Sequence, residues 1–378
     1  MRGAFIQEFR ALIHDGAIIL TIIGGVLLYA FLYPQPYVKG SLSNIKLVVV
    51  NQDKTDLSEK LLFALEASAN IQITAEVNNL LEAKRFMQQR EANAIMVVPY
   101  NFKQELLLHE MPQITIWADG SYMLIFGGVM EATLKTVLGQ NMAIKASKLL
   151  ANEKLPLVGV KDRLVSFKMH AINLFNADNS YTQYVVPAVF VLILQQTMLI
   201  GLGIFGGGLR ERAYGGYDYA IPFRKRLFAR YILFMTLFTL HFLFYFGWTF
   251  NYFHITHFAH AWSLLGLGVL FLHAVFLFGV FLGSFMPNRE RATPIILLSS
   301  LPLVFSAGFV WPQQMMPFMH LLSSCIPSTP AIEAFLKLNQ MGASLSDISV
   351  EISILLLQIV IYATVVFFLK QKYVKNIF

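Results

Sequence analysis

Charge is what this sequence has least of. Asp, Glu, Lys and Arg make up 13% of its 378 residues, while 56% are hydrophobic. An average soluble domain carries roughly 25% charged residues. A chain of this length could hold two or three soluble domains, but so little charge could not coat their surfaces. The high apolar fraction equally excludes intrinsic disorder. Cysteine is almost absent. The single Cys325 rules out a framework of intrachain disulfides, and no Cys/His spacing of a zinc site occurs. Also missing are G-x-S-x-G, H-E-x-x-H and the phosphate-cradling G-x-x-x-x-G-K-[ST]. What remains is a polytopic α-helical membrane protein, in keeping with a mean hydropathy of +0.58.

The apolar residues are clustered accordingly. Six runs lack Lys, Arg, Asp and Glu and meet or approach the ~20 residues that cross a bilayer: Ala17–Tyr33, Tyr184–Phe205, Tyr231–Tyr252, Ala261–Phe285, Thr293–Trp311 and Ile352–Leu369. The first is short, but no small-x-small cleavage site follows it and Pro34-Gln35-Pro36 closes it. It reads as an uncleaved anchor rather than a signal peptide. With both termini in the cytoplasm, segments 1–16, 206–230, 286–293 and 370–378 hold 13 Lys/Arg against five Asp/Glu. The two short opposite loops hold one Lys and three acids, and the long 34–181 segment is nearly balanced at 15 to 14. Short-loop Lys/Arg orient a membrane protein, so both ends are expected inside. The basic pI of about 9.3 then reflects lipid anchoring, and no aromatic-interleaved basic patch calls for a nucleic-acid partner.

Residues 34–181 return to soluble frequencies of charge and turn residues, and are expected to form an extracytoplasmic mixed α/β domain. Strands are predicted at Ile45–Val50, Ile71–Val77, Ala94–Val98 and Ile114–Ala118. Helices are predicted to start at Thr55/Asp56 with Glu59, at Asn79 with Glu82 and at Asn101 with Gln104. A long amphipathic helix should run from Ser121 to about Leu150. Asp119-Gly120-Ser121 pairs an acid with a hydroxyl, but a strand-to-helix turn with Ser121 as N-cap explains it more simply. Nothing in this region forms a catalytic constellation, so its expected role is contact.

In the membrane part, Arg2–His14 reads as a cytoplasmic interfacial helix, with Phe5, Phe9, Leu12 and Ile13 opposed to Arg2, Glu8 and Arg10. Gly206-Gly207-Gly208-Leu209-Arg210-Glu211-Arg212, followed by Gly215-Gly216, lacks the Lys-Ser/Thr of a phosphate loop. It reads either as a flexible hinge with arginines at headgroups or as a docking element for a cytoplasmic motor. No acid or base other than histidine lies in the hydrocarbon region, which argues against ion coupling. Gln195, Gln196, Thr197, His241, His273 and Gln358 are read as interhelical hydrogen-bonding groups. His254, His257 and His260 lack a nearby carboxylate, so no metal is expected. The aromatic run Phe242–Phe253 reads as lipid-facing bulk and interface belt. Ser306 to Pro317 ends a span at Trp311-Pro312, and the apolar run Phe318–Ile326 before Pro327 is too short to cross. A re-entrant outer hairpin over 312–330 is therefore expected.

At these residues the chain resembles the type-2 ABC export permeases, in the subgroup with a large outer domain after the first helix. The resemblance is carried by Val48-Val49-Val50-Asn51-Gln52-Asp53, Ala94 to Phe102, Asp119-Gly120-Ser121, Leu174-Phe175-Asn176 with Tyr184-Val185-Val186-Pro187, and most by Ser306–Pro317 with Pro327-Ser328-Thr329. It implies a permease dimer, of two copies or with a paralogue, bound to cytoplasmic ATP-binding subunits that hold the ATP and magnesium; no cofactor is expected on this chain. A periplasmic adaptor is a further implied partner, and the bacterial inner membrane the implied location. Arg210, Glu211, Arg212 and Gly215 would then couple the motor. Ser306, Gly308, Trp311, Pro312, Met316, Pro317 and Pro327 would shape the outer gate, and Gln195 and Gln196 the dimer seam or pathway. In the inner loop Gly216 stands where the family has Thr. The competing reading is a non-transporting envelope sensor or scaffold, which leaves the hairpin and six spans without a purpose.

Overall fold

A computed structural model describes residues 1–37, 44–68, 70–108, 112–118, 125–139, 180–309 and 317–377. The chain forms two compact units: Met1–Val38 with Asn173–Phe378, and Lys39–Ile172. The larger unit begins with helix α1 (Arg2–His14) and the apolar α2 (Gly16–Tyr37). Asp15 separates them in an extended conformation and caps α2, accepting hydrogen bonds from Ala17 N (3.1 Å) and Ile18 N (3.4 Å). The α1 face turned into the protein is Ala4, Glu8, Ala11 and Leu12; Phe5, Phe9 and Ile13 point outward. Of the apolar residues named from sequence, Leu12 packs inward with the small Ala4 and Ala11, while Phe5, Phe9 and Ile13 stay on the exposed face.

The smaller unit follows in sequence: β1 (Ile45–Asn51), α3 (Asp56–Glu66), β2 (Ile71–Val77), α4 (Leu80–Gln88), β3 (Ala94–Val98), α5 (Phe102–Leu107), β4 (Thr115–Ala118) and α6 (125–139). The sheet order is β2-β1-β3-β4, parallel except for the antiparallel β4. Leu47 and Val49 face a core shared with Leu61, Leu65 and Val129, while Val48 and Val50 face Val77, Ala83 and Ile95. Burial on both faces is why β1 is a continuous β-branched run. The α3 start uses Ser58 rather than Glu59, Ser58 Oγ accepting from Thr55 N at 3.0 Å. Asn79 Oδ1 caps α4 through Glu82 N at 2.8 Å. Asp119-Gly120-Ser121 and residues 140–179 lie outside the described residues.

The larger unit resumes with α7 (Tyr181–Arg210), α8 (Phe223–Tyr252), α9 (Ala261–Phe285), α10 (Arg289–Ser306), α11 (Pro317–Ser323), α12 (Ser328–Phe335) and α13 (Ser349–Ile377). Five described helices are long and apolar enough to span: α2, α7, α8, α9 and α13. The sixth expected span corresponds to α10, which is 18 residues long, opens on Arg289-Glu290-Arg291 and contains Pro294 and Pro302. Its uncharged part is shorter than a span needs, and the expected end at Trp311 lies outside the described residues.

Helix α7 is the axis of this unit: 89% of its apolar window is buried, against 22% for α2 and α13. Glycine makes that possible. A Cβ on Gly206 would fall 2.3 Å from Gly283 O, and one on Gly207 2.4 Å from Asn288 C. The glycine triplet is therefore a helical contact surface and not a hinge, correcting the sequence expectation. The Phe242–Phe253 run is corrected too. Phe242, Tyr245, Phe246 and Phe250 are buried, with Tyr245 stacked on Phe190 at 4.2 Å and its hydroxyl donating to Val26 O at 2.8 Å. Of its aromatic residues only Trp248 and Tyr252 are strongly exposed. Burying aromatic rings inside the bundle is favoured where facing helices present Phe190 and Phe335 as stacking partners.

The glycine contacts give a stability prediction. Gly206→Ala should cost about 1–3 kcal/mol by overpacking against backbone, whereas Gly215→Ala, with nothing within 4 Å of its Cβ, should stay within about 0.5 kcal/mol. Thermal unfolding of the two purified variants in the same detergent checks the contrast.

Candidate functional site

The motor-coupling residues predicted from sequence lie where α7 ends and the 211–222 connection begins. Arg210 Nη2 donates to Ser284 O at 2.9 Å, and Glu211 Oε2 accepts from Arg289 N at 3.3 Å. Both thus fasten the end of α7 to the turn between α9 and α10. Arg212 adopts a left-handed φ of 52° and lays its guanidinium over the Tyr219 ring. Gly215 is exposed at the tip.

Beneath this tip lies a set of buried charges that sequence reasoning did not assemble. Glu8 of α1 and Arg230 of α8, 222 residues apart, pair at 2.9 and 3.2 Å with both side chains buried. The Tyr217 hydroxyl donates to Glu8, and the Arg230 guanidinium stacks on Phe205 of α7 at 4.1 Å. Every polar atom on the Glu8 carboxylate is thereby occupied, which a buried ion pair requires if it is not to destabilise. Two turns further on, Asp15 takes the guanidinium of Arg289 at 2.7 Å and the Tyr214 hydroxyl at 3.4 Å while it caps α2. Gln7 holds the connection by both ends of its amide, donating to Asp218 O and accepting from Asp218 N at 2.9 Å. Burial raises the pKa of both phenols. Beyond burial, Asp15 adds to the rise at Tyr214; at Tyr217, Arg230 pulls back and Glu8 adds. Both hydroxyls therefore stay protonated donors at neutral pH.

A signal for Glu8 was present: it is the one acid in Arg2–His14 and lies in register with Ala4, Ala11 and Leu12. Arg230 carried none, since a cation next to an apolar run reads as a lipid anchor.

At the other end of the bundle, Ser323 Oγ donates to Ser306 O at 3.2 Å, closing α11 onto the end of α10. Gly308 follows with φ 87°. Gln358 Nε2 of α13 donates to Ser324 O at 2.7 Å. Pro317 opens α11 and Pro327 caps α12. Trp311, Pro312 and Met316 lie outside the described residues. Gln195 is fully buried and donates to Ser328 Oγ at 3.0 Å. Its amide nitrogen is thus used inside its own chain; Gln196 beside it is half-buried. His254 sits in a loop with φ 52°, so it shares no helix face with His257.

A family model described as ABC-2 family transporter protein matches residues 16–368. The chain belongs to the ABC-2 transporter family. Among curated proteins none matches it. An ABC-2 family chain is a multi-pass membrane subunit that generally lacks an ATPase of its own and works with an ATP-binding subunit.

The buried pair gives a test. Glu8→Ala strands Arg230 and should cost about 3–5 kcal/mol, while the double variant Glu8→Leu/Arg230→Met should recover most of that loss. A double-mutant cycle on thermal unfolding measures the difference.

Proposed function

We propose that this ABC-2 family chain is the permease subunit of an ATP-driven exporter. It works as a dimer, with a second copy or a paralogue, and a separate cytoplasmic subunit binds ATP and magnesium. Both termini face the cytoplasm of a bacterial inner membrane, and residues 34–181 form an extracytoplasmic domain that a periplasmic adaptor can meet. The substrate is hydrophobic or amphipathic, in keeping with spans that carry no charged coupling group.

The observation that supports this reading is the fastening of the 211–222 connection. Arg210 and Glu211 tie it to the α9–α10 turn, and Tyr217 and Asp218 tie it to α1. Arg289 then ties that turn to Asp15 at the start of α2. A push on the exposed tip is carried to three spans at once, rather than absorbed by a loose loop. That suits a motor that must favour one state of the pathway over another: it can shift the equilibrium only by its differential affinity for the two.

Gly215→Trp places bulk on the exposed tip, where an added Cβ has no atom within 4 Å. Affinity-tagged wild type should copurify an ATP-binding subunit, and Gly215→Trp should recover at least about tenfold less, the loss of a docking contact worth ~1.4 kcal/mol or more, with its thermal midpoint unchanged. Wild type that recovers no such subunit defeats the proposal.

A further inference from the structure

One group of side chains beside the 211–222 connection takes no part in its fastening. Two guanidinium groups lie over the ring of half-buried Tyr219: Arg212 at 5.7 Å and Arg226 at 5.9 Å from its centre. Arg226 also lies 5.6 Å from the Tyr217 ring. The Tyr219 hydroxyl and Arg226 Nε are buried and hydrogen-bond to nothing among the described residues. Arg212 is exposed, and among the described residues no carboxylate pairs with it or with Arg226.

The nearby acids are occupied elsewhere. Asp218 Oδ1 accepts from Ala220 N at 2.8 Å, Glu211 from Arg289 N, and Glu8 from Arg230 and Tyr217. Burial raises the Tyr219 pKa while both arginines pull it back, so the hydroxyl is a donor at neutral pH. The result is two positive charges beside a buried hydroxyl, with the donors of Tyr219 and Arg226 Nε left without an acceptor among the described residues. Buried donors without acceptors are rare and call for a partner. The complementary group is an anion with several acceptor oxygens, and guanidinium geometry matches phosphate. The position also fits: Arg226 lies shortly before Tyr231, where the uncharged stretch of α8 begins, the depth at which phospholipid phosphates meet basic side chains.

We propose that Arg212, Arg226 and the Tyr219 hydroxyl form a binding site for a phosphate group, carried by a membrane phospholipid headgroup or by a soluble phosphate. The site goes beyond the transport reading and needs no ATP-binding subunit, so its failure leaves that reading untouched.

The test uses the full chain in nanodiscs of phosphatidylcholine, with or without phosphatidylglycerol, and reads both the phospholipid retained on the purified protein and the thermal midpoint. Wild type should retain phosphatidylglycerol in preference to phosphatidylcholine. Arg212→Gln/Arg226→Gln should lose at least about tenfold of that preference, as expected for charge-assisted contacts, and Tyr219→Phe about threefold. Arg224→Gln, an exposed neighbour, should lose none. Inorganic phosphate added to phosphatidylcholine nanodiscs separates the two sources. A midpoint shift that needs Arg212 and Arg226 supports the site with soluble phosphate as its ligand; retention of phosphatidylglycerol without such a shift supports it with the lipid. Equal retention by wild type and the double variant, with no phosphate effect on either, overturns the proposal, as does an equal loss in Arg224→Gln. Should the double variant not fold, Tyr219→Phe decides, and its unchanged retention overturns the site.

Discussion

The larger unit depends on one buried ion pair. Glu8 and Arg230 have no sequence proximity, yet each is nearly inaccessible and each finds its counterion in the other. Removing two charges from water is costly, and their mutual attraction compensates only when remaining polar atoms are also satisfied. Tyr217 and the Phe205 ring complete that environment. The pair thus specifies more than it stabilises. Any arrangement that slides α1 along α8, or lifts the 211–222 connection, leaves a buried charge bare. The position of α1 is set electrostatically, while its aromatic residues remain free to face outward.

Close packing supplies the second constraint. Gly206 and Gly207 bring α7 within backbone contact of Gly283 and Asn288, and Arg210 and Glu211 then bond across the gap so formed. The two effects are coupled. Without the glycines the side-chain bonds would be out of reach, and without the bonds Ser284 O and Arg289 N would lose these partners at the α9–α10 turn. The connection that follows is therefore short of freedom at its base and open at Gly215. This geometry lets a local push be transmitted, since packed elements move as bodies more readily than they deform.

Much of this architecture was legible in the amino-acid order, for definable reasons. The strands of the smaller unit could be read almost residue by residue, because Ile71–Val77 and Ala94–Val98 owe their form to local β-branched patterning and to turns at their ends. Spans such as Ala261–Phe285 follow from length and apolarity alone. The failures share a cause: each involves a long-range partner. The glycine triplet is ambiguous until Gly283 is known to lie against it. The Phe242–Phe253 run reads as lipid-facing until Phe190 and Phe335 supply stacking partners. Likewise the sequence does not show that Gln195 donates to Ser328 of its own chain. Residue type near a membrane states what a side chain needs, and only the fold states whether another part of the same chain provides it.

That distinction bears on the candidate coupling face as a whole. Of its charged members, Glu8, Asp15, Arg230 and Arg289 satisfy one another within the chain, and Arg210 and Glu211 bond to backbone. Such groups hold shape. Arg212, Arg226 and the Tyr219 hydroxyl are of the other kind, since their electrostatic and hydrogen-bonding capacity is not used by the described residues. A membrane protein with little charge to distribute has grouped it into an internal lock and an adjoining unspent patch. The lock keeps the patch in one geometry, because Tyr217 takes part in the Glu8 network and lies under Arg226. Whatever engages the patch therefore also senses the position of α1 and, through Asp15, the start of α2.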